Sequence, residues 1–91
     1  MRYLVVYDIS DNNLRSQTAE LLKDYGLKRI QKSAFAGELR RHELKSLAVD
    51  LSKTVKADNL KVFPLCDTCF RGMISIGQEY VEEEGEKVAY F

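Results

Sequence analysis

Residues 1–10, MRYLVVYDIS, leave few folds open to this chain, because an unbroken β-type run from Tyr3 to Tyr7 ends on a single carboxylate, Asp8. Every residue of the run is Tyr, Leu or Val, so a strand here wants cover on both faces and belongs inside a sheet. Period-2 geometry then places Leu4, Val6 and Asp8 on one face. An unpartnered buried aspartate would be expensive. Asp8 is therefore exposed at the strand tip, paired with a cation, or a metal ligand, and the first ten residues leave all three open.

The rest of the chain reads as alternating elements. Ser10, Asp11, Asn12 and Asn13 supply candidate N-caps. Leu14, Thr18, Leu21, Leu22 and Tyr25 then follow helical spacing until Gly26 stops the helix. Leu27 to Leu39 predicts a bent strand or two short strands joined near Lys32, with Gly37 as a candidate bulge. Leu44, Leu47, Ala48, Leu51 and Val55 share one face of a second helix, about Arg40 to Lys56. Leu60 to Cys66 returns to strand, and Pro64 within it cannot donate to a ladder, which confines that strand to an edge.

A first strand inside and a late strand at the edge is the pattern of an α+β, ferredoxin-like βαββαβ sandwich with spatial order 4-1-3-2. Residues 1–77 would form this domain. Asp67 to Gly72 reads as a turn and Met73 to Ile76 as a short extra strand. Residues 78–91 would be an acidic connector and a terminal strand, Val88 to Phe91, that adds to an edge on a second copy and so belongs to the same domain. Two helices on one face leave the other face open, yet the first strand is apolar in both directions. Self-association through that face predicts a homodimer.

Composition excludes several classes. With 91 residues, 45% hydrophobic and 31% charged, the chain is one globular domain rather than a disordered or membrane protein. The run Tyr3 to Tyr7 is too short to span a bilayer or serve as a signal peptide, so a cytoplasmic location is expected. The net charge of zero conceals a split. Residues 1–56 carry eleven Lys/Arg against seven Asp/Glu, and residues 57–91 carry three against seven. A basic front suits nucleic acid, because phosphate neutralisation needs a local patch rather than a positive total; two solvated faces would give the same counts.

Several residues are candidates for chemistry. A magnesium ion keeps most of its waters and is often held by one or two carboxylates plus substrate phosphate, so two copies of Asp8 across a dimer axis would suffice for metal-assisted phosphodiester cleavage. Arg15 stands in the first helical turn, where the macrodipole disfavours a cation, unless an anion docks there or Arg15 pairs with Asp8 or Asp11. Lys28, Arg29, Lys32, Arg40 and Arg41 supply further cations around the second strand and the next helix, with Tyr25 and Phe35 nearby. They would track a backbone without selecting a base. Phe35, among small residues in a strand, reads as core. Cys66 and Cys69 have C-x-x-C spacing, but one pair and a distant His42 cannot make a four-ligand site in one chain; a zinc shared across a dimer or a thioredoxin-like role is the minor reading, since a redox motif should open a helix after an early strand and this one follows a late strand, and His42 reads as a surface residue. Glu82, Glu83 and Glu84 read as a solvated linker.

These residues also carry a resemblance. The strand ending Tyr7-Asp8-Ile9, then Asp11-x-x-Leu14-Arg15, the block Arg29-Ile30-Gln31-Lys32-Ser33-Ala34-Phe35-Ala36-Gly37-Glu38-Leu39, and Phe63-Pro64-Leu65 resemble the small universal CRISPR-associated adaptation protein, the "Cas-two" family. The resemblance implies a ferredoxin-like homodimer that partners the CRISPR integrase in capturing spacers. It implies a metal-dependent endonuclease on RNA or double-stranded DNA, with Asp8 as catalytic metal ligand and Mg2+ or Mn2+ as cofactor, and residues matching Arg15, Arg29 and Phe35 recur in the family pattern. It also implies a C-terminal strand added to the partner subunit. Gln17 departs from relatives that carry a second arginine there, and the C-x-x-C lies outside the family pattern. A non-catalytic scaffold that bridges integrase and grips duplex backbone is the alternative.

Overall fold

The computed structural model describes residues 1–80. In order these form β1 (Arg2–Asp8), α1 (Asn12–Asp24), β2 (Lys28–Gln31), β3 (Ala34–Glu38), α2 (Arg41–Thr54), β4 (Asn59–Leu65) and a short α3 (Asp67–Arg71). The strands make one antiparallel sheet in the order β2-β3-β1-β4. This is the ferredoxin-like order expected, with β1 inside and the proline-bearing β4 at an edge. β4 pairs with β1 alone among the described residues, so a residue lacking an N–H is tolerated on its free side.

Register decides what each face of β1 meets. Val5 lies opposite Phe35 and Val62, and Tyr7 opposite Leu60, and these residues turn toward the helices. There Val5, Phe35, Leu22 and Leu47 are fully buried, each burial contributing roughly 1.5–3 kcal/mol before entropy is counted. Leu4 and Val6 face the other way, with Ala36 and Ala34 beside them on β3 and Phe63 and Lys61 on β4. Among the described residues no helix core covers that side, and Phe63 is 44% exposed. The open face expected from the sequence is present.

Capping fixes the helix ends. The Asp11 carboxylate accepts from the Leu14 N–H at 2.8 Å, and the chain leaves α1 through Gly26 at φ 87°, with its N–H donating to the Lys23 carbonyl at 2.9 Å. At α2 the Glu43 carboxylate accepts from the Arg40 N–H at 2.7 Å. Leu47 and Leu51 form its buried stripe, flanked by Leu44 and Val55, whereas Ala48 is exposed at the stripe's margin.

The Leu27–Leu39 stretch is the second of the two expected alternatives, two short strands joined near Lys32. Three details differ from expectation. The irregularity of this hairpin lies between Arg29 and Gln31 rather than at Gly37. Gly37 pairs regularly with Tyr3, and its need for glycine is steric, since an added Cβ would stand 2.8 Å from Leu27 Cδ2. Residues 67–71 are a helical turn, α3, because Cys66 caps it. Met73 to Ile76 is not a strand: it pairs with no edge among the described residues, and Ile74 and Ile76 are 82% and 89% exposed. The expected terminal strand, Val88 to Phe91, lies outside the described residues, as do Glu82, Glu83 and Glu84.

Candidate functional site

Asp8 closes β1, in register with Asn59 of β4, on the open face and exposed. Just before it, the Tyr7 N–H donates to the Ser33 carbonyl at 3.1 Å, which ties β1 to the β2–β3 turn. Among the described residues the Asp8 carboxylate has neither a hydrogen bond nor an ion pair. Of the readings left open, strand-tip exposure holds and pairing to a cation within these residues does not.

Arg15 lies within reach of the same loop and serves the backbone. Its Nη1 donates to the Ile9 carbonyl at 3.0 Å and to the Ser10 carbonyl at 3.4 Å, and its Nη2 donates to the Asn12 side-chain oxygen. A cation in the first turn of α1 is thus explained without a salt bridge to Asp8 or Asp11. Its fork fills carbonyls that the turn from strand to helix leaves unpaired, and so holds the loop on which Asp8 ends.

Behind β1, Tyr7 stacks on Phe35 with ring centroids 6.3 Å apart, and the Arg29 guanidinium lies 5.1 Å from the Phe35 ring centroid. Tyr80 closes the other side, 5.7 Å from Arg29, and accepts a 3.3 Å hydrogen bond from its Nη1. Arg29 is therefore half-buried between aromatic rings. Burial pushes the Tyr7 phenol above its ordinary value, and the charges of Arg29 and Arg15 offset this only partly.

The remaining cations divide. β2 and β3 run so that the Lys32 turn stands at the Asp8 end of the sheet, whereas β3 finishes beside Arg2, and the Leu39 N–H donates to the Met1 carbonyl at 3.1 Å. Arg40 and Arg41 follow Leu39 and so lie at the far end, about 20 Å from Asp8 along a seven-residue strand. The sequence could not divide them, because the division depends on strand register. His42 is exposed on α2, and Phe35 is core, as expected.

At that far end Arg2 is enclosed by Glu38 at 3.9 Å, by Asp67 at 3.7 Å and by the Phe70 ring at 4.4 Å from its centroid. Sequence reasoning passed over Arg2. Its position before the apolar run was visible, but its partners lie in β3 and α3. Among the described residues no three His, Cys, Asp or Glu side chains gather as an ion cage. One exposed carboxylate fits a hard divalent ion that keeps most of its waters, as one protein ligand of a shared site.

These features define a ferredoxin-like α+β domain with an open acid at the tip of its central strand. The family model for CRISPR associated protein Cas2 matches residues 1–73, and the chain belongs to that family. It is 44% identical over 90 residues to the CRISPR-associated endoribonuclease Cas2 1 of Archaeoglobus fulgidus, covering 93% of this chain and 96% of that protein. It is 42% identical over 62 residues to a CRISPR-associated endonuclease Cas1/endonuclease Cas2 fusion of Thermoproteus tenax, covering 68% of this chain and 24% of that protein. Among solved structures, Streptococcus pyogenes Cas2 superposes with a TM-score of 0.76 at 25% identity, over 85% of this chain and 100% of that one. No helix among the described residues is long and apolar enough to cross a membrane.

Proposed function

We propose that the protein works in CRISPR adaptation as a homodimeric, metal-dependent endonuclease that cleaves phosphodiester bonds of RNA or double-stranded DNA. The observation that carries this reading is the Asp8 carboxylate, exposed on the open face and without a partner among the described residues, on a loop that Arg15 fixes. Asp8 from each of two copies would hold one Mg2+ or Mn2+ ion. When bound, such an ion activates water and stabilises charge developing on phosphate. Lys32, in the turn at the Asp8 end of the sheet, would serve backbone near the acid on the loop that Arg15 fixes, and Arg40 and Arg41 would meet it about 20 Å away. A ligand touching both ends must be a polymer.

The dimer would form through the open face of Leu4, Val6 and Phe63. Residues 78–91 would connect to a strand laid on the second copy. The relative in which the Cas2 part is fused to a Cas1 endonuclease supports an integrase partner for this chain, and the working compartment is the cytoplasm. The test is Asp8→Ala assayed both for cleavage and for spacer acquisition in cells. Lost cleavage in an intact dimer supports the reading, and undiminished cleavage overturns it. A second reading, a scaffold that bridges integrase and grips duplex, is favoured by the single carboxylate and the distant Arg40 and Arg41. It requires that Asp8→Ala leave acquisition intact.

A further inference from the structure

The C-x-x-C pair plays no part in the function proposed above, and its geometry is specific. Cys66 caps α3 and Cys69 stands in the first turn, with the Cys69 N–H donating to the Cys66 sulfur at 3.3 Å. Both cysteines are free and exposed. No third soft ligand joins them among the described residues, which argues against a metal cage within one chain. Asp67, between the cysteines, and Phe70, just after them, hold α3 to Arg2.

We propose that Cys66 and Cys69 form a redox-reactive dithiol, with Cys66 as the attacking sulfur and Cys69 as the resolving one, oxidised by low-molecular-weight disulfides. Hydrogen bonding from Cys69, its N–H above all, holds the Cys66 thiol pKa below the ordinary value, whereas hydrogen bonding to Cys66 and the Cys66 charge hold the Cys69 thiol above it. The Cys66 thiolate attacks one sulfur of the small disulfide, whose sulfur–sulfur bond breaks, and one small thiolate leaves. Cys69 then loses its proton and attacks the Cys66 sulfur, and the second small thiolate departs. The protein loses two hydrogens, and the small disulfide becomes two thiols once protonated.

The closed bond would lock the turn leading from β4 into the exposed residues Met73, Ile74 and Ile76. Because the reaction is read on the sulfurs, its outcome does not depend on whether the protein is a nuclease.

The experiment exposes the full reduced chain to oxidised glutathione at neutral pH, quenches by alkylation and reads intact mass. The wild type should converge on a species short of two hydrogens and carrying no glutathione. Cys69→Ser should stop at one glutathione adduct, and Cys66→Ser should react at least about fivefold more slowly than Cys69→Ser. Wild type that stays reduced, wild type that retains glutathione, or variants that react at equal rates would each overturn the proposal. So would reduced protein whose cysteines resist alkylation until a chelator strips a metal ion, since that assigns the pair to metal.

Discussion

The two ends of β1 treat charge in opposite ways. At the start of the strand Arg2 is held by Glu38, Asp67 and the Phe70 ring, and the terminal amine of Met1 stands 3.4 Å from Glu38. At the other end Asp8 is exposed, and the nearest arginine on α1 spends its fork on the carbonyls of Ile9 and Ser10. An exposed aspartate costs little to leave alone, so exposure by itself teaches nothing. The contrast teaches more. Where charge serves the architecture the sheet surrounds it, and where Asp8 ends the strand the arginine of the first helical turn bonds the backbone and the acid stands exposed.

That contrast breaks most directly at Asp8. Asp8→Asn should lower metal-dependent cleavage about 1000-fold, equivalent to about 4 kcal/mol on the barrier, while stability stays within about 0.5 kcal/mol of wild type. Cleavage kinetics and chemical denaturation check the two halves. Arg15→Ala should lower both quantities, stability by about 1–2 kcal/mol through the orphaned carbonyls and cleavage about tenfold through the loosened loop. Arg15→Lys should not restore them, since one ammonium cannot replace the planar fork.

Smaller effects sharpen the comparison. Replacing both Arg40 and Arg41 with Ala should reduce the salt slope of duplex binding by about 2 without changing the turnover of bound substrate, as measured by binding titrations at several ionic strengths. Arg2→Ala should cost about 1 kcal/mol and leave cleavage unchanged, which separates the architectural end from the functional one. Tyr7 gives a pH dependence. Its folded pKa is raised above 10 by burial, so its contribution to stability is whole below pH 10 and is lost as pH rises through the folded value. Stability curves of wild type and Tyr7→Phe should therefore diverge only in alkali.

Much of this arrangement was legible in the residues because it follows from local pattern. The Tyr3–Tyr7 run and Pro64 together define the strand order, and Phe35 among alanines identifies the core. What was not legible depends on contacts remote in sequence. Arg29 is a surface cation by pattern, but strand pairing lays it on Phe35 and the chain returns Tyr80 over it, 51 residues later. Arg15 is misplaced by the helix dipole alone, and only the path of the loop supplies its carbonyls. The hydrogen bond from Cys69 to the Cys66 sulfur converts an expected turn into α3, a choice that propensity does not encode. Met73 to Ile76 carries strand composition, but composition supplies no ladder partner.

Titration of Mn2+ into the wild-type protein and into Asp8→Asn, with mass determined in the same buffer, tests the open acid most directly. The proposed function predicts one ion per two chains in the wild type and none in the variant. An ion bound equally well by Asp8→Asn would contradict the assignment of Asp8 as the ligand.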